Sequence, residues 1–120
     1  MAMSRIRAWI KAARLPSQSY IALPLLLGQV LAWRVMDQWS WAIFVLVQLF
    51  GVLDQLYIVW ANDWADFETD QDNQTPTIFS GGSRVLVDGE LERAQLGRAA
   101  ALAAVGALGT GVALWAGWGR

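Results

Sequence analysis

Four oxygen-bearing side chains within nine residues have the clearest potential for chemistry. They are Asn62, Asp63, Asp66 and Asp70. A helix turns by about 100° per residue and rises about 1.5 Å, so a helical segment here would gather all four within an arc of about 100° over about 12 Å. The spacing therefore predicts one polar helix face that carries an amide and three carboxylates.

Three carboxylates on one helix face repel one another, and the C-terminal end of a helix disfavours negative charge. The nearest basic residue in the sequence is Arg84, so a bound cation is the natural compensation. The chain has no Cys and no His, which leaves oxygen ligands. Mg²⁺ is usually held by one or two carboxylates together with substrate phosphates. The pattern predicts a Mg²⁺ site facing a polyphosphate, while Glu68 and Asp72, outside the arc, should be solvated.

The same acidic segment has two other interpretations. The first is a hydrated acidic loop at a membrane surface, and the sequence does not exclude this interpretation. A calcium loop that begins at Asp70 is the other, but Thr75 occupies the position that needs glycine and Gly81 the position that needs glutamate. The calcium interpretation is therefore disfavoured.

Long apolar segments must position these residues. The chain is 56% hydrophobic and only 16% charged, and a helix needs roughly 20 apolar residues to cross a bilayer. Three segments qualify, at 19–36, 39–61 and 99–118. They predict an all-α, polytopic transmembrane helix bundle in which residues 62–98 form the site loop. The third segment is rich in glycines that suit close helix contact, namely Gly106, Gly109, Gly111 and Gly117.

The distribution of basic residues predicts the orientation. Basic side chains precede the first span and follow the second, which places the N-terminus and the site loop in the cytoplasm; they are Arg5, Arg7, Lys11, Arg14, Arg84, Arg93 and Arg98. Residues 5–15 read as a basic amphipathic helix at the membrane surface. Residues 88–98 read as a short helix with Asp88 as its N-cap. A net charge of −1 argues against nucleic acid as a partner.

Asn62 to Asp70 has the pattern N-D-x-x-D-x-x-x-D, at the end of a second membrane span. In this it resembles the UbiA-type superfamily of intramembrane prenyltransferases. Arg14-Leu-Pro-Ser17 and the run from Phe79 to Leu91 are similar to the 1,4-dihydroxy-2-naphthoate prenyltransferases of menaquinone and phylloquinone synthesis. The resemblance extends from about Arg14 into the third span.

The resemblance implies a Mg²⁺-dependent transferase that moves a polyprenyl group from an allylic diphosphate to an aromatic acceptor, such as 1,4-dihydroxy-2-naphthoate. It implies an integral protein of the inner or plasma membrane of a prokaryote. Asn62, Asp66 and Asp70 would be catalytic and would hold Mg²⁺ and diphosphate, with Asp63 assisting. Arg84 and Ser83 would bind the diphosphate.

Two residues inside the second span are further candidates for substrate binding. Asp54 is a charged residue at membrane depth and would either contact the aromatic acceptor or have a purely structural role. Tyr57 would shield an allylic cation, or would simply pack against a neighbouring helix.

The chain departs from the family in length. Family members form bundles of about nine helices long enough to cross a bilayer and carry a second Asp-rich motif, but no carboxylate follows Glu92 here. We therefore expect residues 1–120 to be the N-terminal part of such a domain, inactive without the remaining helices of the full-length protein. The alternatives are a non-catalytic membrane protein that binds a divalent cation or a polyprenyl diphosphate, and a structural or assembly subunit.

Overall fold

The computed structural model describes residues 2–77 and 81–118, and the protein is all-α as predicted. Helices α2, α3 and α5 are long and apolar enough to cross a membrane, so this is a membrane protein with three candidate spans. The helices are α1 (Ala2–Ala13), a 3-10 turn (Leu15–Gln18), α2 (Ser19–Met36), α3 (Trp41–Ala65), α4 (Phe67–Asp72) and α5 (Arg93–Trp118).

Helices α2 and α3 form an antiparallel hairpin joined by residues 37–40. Asp37 ends α2 in the left-handed conformation and donates its backbone N–H to Trp33 O over 2.8 Å. Ser40 begins α3, because its hydroxyl accepts the backbone N–H of Ile43. Trp39 contacts Trp33 edge-on, with ring centroids 5.8 Å apart. We call this the hairpin end of the bundle and the opposite end the site end.

The contact between α2 and α3 combines a close approach with a polar pair. A Cβ on Gly51 would overlap Leu25 Cδ1 and lie 3.7 Å from Ile21, so glycine lets the two helices approach closely. One turn earlier, Gln48 Nε2 donates to Gln29 Oε1 over 3.0 Å. Side-chain hydrogen bonds of this kind link helices where water is absent.

Helix α5 packs along α3 through small residues. Ala100, Ala103 and Ala107 are buried, and a Cβ on Gly106 would lie 3.0 Å from Leu53 Cδ1. Of the four glycines predicted to mediate helix contacts, only Gly106 does so within the described part of the chain. Gly109, Gly111 and Gly117 have no described neighbour within 4 Å of an added Cβ.

A compact hydrophobic cluster lies at the site end, where α1 and the loop before α5 meet the ends of the spans. It joins α1 to the loop before α5 and to the first turn of α5, through Ala8, Ala12, Val85, Leu86, Leu91 and Leu96. Trp9 of α1 adds an edge-to-face contact with Trp60 of α3, at 5.5 Å between centroids. The predicted surface helix is thus confirmed as a helix, and one of its faces covers the site loop.

The predicted short helix over residues 88–98 is wrong in its first half. Residues 85–89 form turns, with Gly89 at φ 71°. Asp88 is not an N-cap; its carboxylate instead accepts from Lys11 Nζ at 3.0 Å. Helix α5 begins at Arg93 and continues unbroken into the third span, and Gln95 closes its first turn by accepting the Glu92 backbone N–H.

Candidate functional site

The predicted continuous helix through Asp70 is interrupted at one residue. Helix α3 ends at Ala65 and α4 begins at Phe67, and between them Asp66 has φ −91° and ψ 11°. Backbone hydrogen bonds still cross the break, from Asp66 N to Asn62 O (2.9 Å) and from Asp70 N to Asp66 O (2.8 Å). The interruption is therefore a local distortion, and the helical hydrogen-bond pattern resumes on its far side.

Asp63 differs from the other acidic residues of this segment because its side chain is buried and hydrogen-bonded within the protein. Its carboxylate accepts hydrogen bonds from Ser83 Oγ, from Ser83 N at 3.3 Å and from the Arg14 guanidinium. An isolated buried carboxylate would be costly, and these donors compensate it. Asp63 thereby ties the start of α2 and the loop before α5 to the end of α3.

Arg14 is the partner that reasoning from the sequence missed. It lies 49 residues before Asp63, and the sequence indicates only its part in the orientation and in the family resemblance. Along the chain, Arg84 is the basic residue nearest to the acidic segment. One signal was present: Arg14 precedes the first span and Asp63 ends the second, so an antiparallel hairpin brings both to the same end. Its backbone is left-handed, at φ 46°, which turns the chain from α1 into α2.

Gly82 is the point on which the charged side chains converge. A Cβ added to this residue would overlap Asp63 Oδ1, lie 2.9 Å from Arg14 Nη2 and lie 3.2 Å from Asp70 Oδ2. The backbone is also left-handed, at φ 67°. Both the limited space and the positive φ require glycine at position 82, which explains the second glycine of the Gly81-Gly82 pair. The preceding residues Phe79 and Ser80, part of the family resemblance, lie outside the described residues.

The surroundings of Asp70 disfavour the ionised form of its carboxyl group. Burial raises the pKa of its carboxyl above the ordinary value, and the nearby charges of Asp63 and Asp66 raise it further. Arg14 and Arg84 act in the opposite direction without overcoming these effects. A cation beside Asp70 would therefore be stabilised.

Arg84 lies beside this acidic group, held by the end of α4. Its Nη1 donates to the backbone carbonyls of Asp70 (3.3 Å) and Asn73 (3.4 Å). These carbonyls belong to the C-terminal end of a helix, where a positive charge is favourable. Among the described residues, the hydrogen bonds of the Arg84 side chain are both made by Nη1.

The four predicted metal ligands do not form one assembled set. Among residues 2–77 and 81–118, no group of three or more His, Cys, Asp or Glu side chains has an arrangement that could hold a metal ion. Asn62 and Asp66 are exposed, Asp70 is half-buried and Asp63 is paired with Arg14. Mg²⁺ needs only one or two carboxylates when phosphate oxygens complete its shell, and Asp66 and Asp70 fit that requirement. Glu68 and Asp72 are exposed, as predicted.

Asp54 and Tyr57 do not join the acidic group. Asp54 is half-buried in α3 and lies nine residues before Asp63, about 13 Å along the helix axis. Tyr57 is exposed and lines a groove between α3 and α5, together with Trp64, Gly97 and Arg98. The structure therefore separates these two predicted substrate contacts from Ser83 and Arg84.

The aromatic residues near the site pack against the protein. Trp60 contacts Trp9, while Trp64 and Phe67 lie under the guanidinium of Arg93, at 4.7 Å and 5.6 Å from their ring centroids. Arg93 Nε also donates to Trp64 O over 3.1 Å. Arg93 thus caps the end of α3 and fixes α5 against it, a role that its position in the sequence did not indicate.

No protein-family model, curated protein or solved structure matches this chain at a significant level. The likeness to the prenyltransferase superfamily is therefore carried by the motif residues alone, from Asn62 to Asp70 with Arg14-Leu-Pro-Ser17 and the loop up to Leu91.

Proposed function

We propose that the chain takes part in Mg²⁺-dependent transfer of a polyprenyl group from an allylic diphosphate to an aromatic acceptor, as in quinone biosynthesis. The observation that supports this most directly is the convergence of Arg14, Asp63 and Asp70 on Gly82 at one end of three apolar helices. A polyprenyl diphosphate has a long apolar tail and a highly charged head. A charged site at the end of a lipid-embedded bundle suits both parts.

Each polar residue has a distinct task in this proposal. Asp66 and Asp70 would hold Mg²⁺, which supplies charge neutralisation to the departing diphosphate when it is bound. Arg84 would direct its Nε and Nη2 donors at phosphate oxygens, since Nη1 is engaged by the carbonyls of Asp70 and Asn73. Asn62, exposed one helical turn before Asp66, would supply an amide oxygen to the same face.

Asp63 and Ser83 have a positioning task. Their hydrogen bonds hold Gly82 between the carboxylates of Asp63 and Asp70, and so hold the loop that carries Arg84. For the aromatic acceptor the remaining candidate is Asp54, half-buried and deeper in the span. Charged residues at this depth usually face the interior of the helix bundle or a water-filled cavity.

Binding of a long-chain prenyl diphosphate to lipid-reconstituted protein tests the proposal. Binding should require Mg²⁺, should disappear when the metal is chelated, and should weaken at least about tenfold in Asp66→Ala, a loss expected of a charge-assisted contact. Glu68→Ala is the matched control, because Glu68 is an exposed carboxylate only two residues away. Equal losses in both variants would contradict the proposed site.

A second candidate is a non-catalytic membrane protein that binds a divalent cation or a polyprenyl diphosphate. The ion pair between Asp63 and Arg14 favours it, since a chain with one carboxylate fewer for the metal would still have Arg84 to bind a polyprenyl diphosphate. Supplying 1,4-dihydroxy-2-naphthoate to the reconstituted protein separates the two. Prenylated product supports the transferase and contradicts a purely binding role.

A further inference from the structure

We propose that α1 anchors the site end of the protein to anionic phospholipid headgroups, through an exposed apolar stripe and two exposed arginines of the same helix. This inference concerns a surface away from the acidic residues, and it stands whether or not the chain transfers a prenyl group.

Helix α1 has two apolar faces of opposite character. One consists of Ala8 and Ala12, which are buried in the hydrophobic cluster at the site end. The other consists of Met3, Ile6 and Ile10, which are 69%, 58% and 51% exposed. Steps of three and four residues place these larger side chains in a single stripe along the helix. A surface helix that needed only to cover the site loop would have no use for this stripe.

One basic residue of α1 pairs with acidic residues of the protein, and two others are exposed at its surface. Lys11 pairs with Asp88 at 3.0 Å and Glu90 at 2.5 Å, so its charge is used within the protein. Arg5 and Arg7 are exposed, and within the described part of the chain neither forms an ion pair. The helix also has no acidic residue in its first turn. Helical spacing places Arg7 about 70° from the middle of the stripe and Arg5 about 130° from it on the other side. An exposed apolar stripe on a helix that also carries exposed positive charge is the pattern of a helix that lies in an anionic membrane interface.

The stripe lies close along the chain to an apolar surface that a bilayer would cover. Leu15, Tyr20 and Leu23 are strongly exposed on the 3-10 turn and on the first half of α2, and α2 has no buried residue. Only residues 14–18 separate α1 from this span. A bilayer that surrounds α2 would therefore reach α1 at its interface, where long arginine side chains extend to the headgroups.

Other occupants fit the stripe less well. A second copy would bring Arg5 and Arg7 of one chain towards the same residues of the other in a two-fold contact, and like charges would oppose association. An anionic lipid surface offers apolar depth and negative charge together, and each basic residue near it contributes about 1 kcal/mol.

The absence of cysteine in the chain permits a clean test with single-cysteine variants. Ile6→Cys and Ile10→Cys are labelled with an environment-sensitive fluorophore, and Asp72→Cys serves as the exposed control. The labelled full chain is reconstituted into vesicles of brominated phosphatidylcholine, alone or mixed with phosphatidylglycerol. We expect bromine quenching at both isoleucine positions to exceed quenching at the control several-fold, and to increase with phosphatidylglycerol.

Replacing Arg5 and Arg7 by Gln in the labelled variants tests the electrostatic part. The ratio of inserted to detached α1 in anionic vesicles should fall by about fivefold for each arginine, and vesicles of phosphatidylcholine alone should show little change. Circular dichroism of each variant reports whether the helices persist. A Met3→Cys variant gives a third reading of the stripe at a position remote from the cluster with Val85 and Leu86.

The proposal is overturned if probes at positions 3, 6 and 10 are quenched no more than the probe at 72. It is equally overturned if phosphatidylglycerol has no effect on them. Efficient disulfide formation between two unlabelled Ile10→Cys chains would instead identify a second copy as the occupant.

Discussion

Arg14 and Asp63 form the contact on which the geometry of the candidate site depends most directly. Asp63 is nearly inaccessible, and the donors it binds come from the turn before α2 and the loop before α5. Burial changes what this carboxylate can do: a residue at a metal-ligand spacing acts here as the anchor of a loop. The charge that remains available is concentrated at Asp66 and Asp70.

Replacing Arg14 by Gln should destabilise the protein by about 1–3 kcal/mol, because the buried Asp63 carboxylate would lose its charged donor. Denaturant-induced unfolding in detergent micelles measures this change. The double variant Arg14→Gln/Asp63→Asn should lose less free energy of unfolding than the two single variants lose together, because no unpaired charge remains. Additive losses would show that the two side chains do not interact. Arg7→Gln, exposed on the preceding helix, is the control.

Gly82 and Gly89 form a matched pair for a second prediction at this scale. Both have φ near +70°, but a Cβ would overlap Asp63 at Gly82 and would meet open space at Gly89. Gly89→Ala should therefore lower the free energy of unfolding by only about 1 kcal/mol, the cost of placing alanine at a positive φ. Gly82→Ala should cost clearly more and should also weaken diphosphate binding. Equal stability of the two variants would show that the charged side chains do not converge on Gly82.

At the scale of elements, the site is held by helices that meet outside the apolar spans. Helix α1 and the start of α5 enclose Val85 and Leu86, and Arg93 fixes the start of α5 against Trp64. The loop that carries Ser83 and Arg84 is therefore enclosed between packed helices, which gives a charged loop a defined shape without secondary structure of its own.

Leu96 and Leu102 on α5 allow this arrangement to be tested. Leu96 is fully buried in the cluster at the site end, while Leu102 is 72% exposed on a face with no protein cover. Leu96→Ala should destabilise the protein by about 2–5 kcal/mol through lost contacts and a cavity. Leu102→Ala should have little effect, since lipid would replace the missing atoms. Unfolding of both variants in the same micelles decides between these outcomes, and a larger loss at Leu102 would contradict the assigned core.

At the scale of the whole molecule, the spans divide the polar residues between two ends. The site end holds most of the acidic residues and most of the arginines, and the hairpin end holds the aromatic cluster of Trp33, Trp39 and Trp41. The excess of basic residues near the site end predicts that this end lies in the cytoplasm.

Single cysteines at two exposed positions test this orientation. Gln74→Cys lies at the site end and Gln38→Cys at the hairpin end. In intact cells, a membrane-impermeant thiol reagent should label Gln38→Cys only, and permeabilised cells should label both. Labelling of Gln74→Cys alone from outside would reverse the assignment, and labelling of both from outside would contradict a bundle that separates the two positions.

The helical class, the three spans and the limits of α2 were predictable from the sequence, because hydropathy over about 20 residues and the breaks at polar segments are local properties. The exposure of Glu68 and Asp72 was predicted from helical spacing, but Asp66, which the same spacing placed on the site face, is exposed as well. The spacing also indicates Asn62 and the three aspartates as candidate metal ligands, and that role stays a prediction.

Only the tertiary structure decided how those aspartates differ. The pairing of Asp63 with Arg14, the convergence on Gly82 and the turns around Asp88 join residues far apart in the chain. No local pattern encodes them, because each depends on the hairpin of α2 and α3 and on α1 folding over the loop. Burial and charge are properties of the assembled molecule, and they decide which carboxylate anchors the loop and which ones remain free to bind.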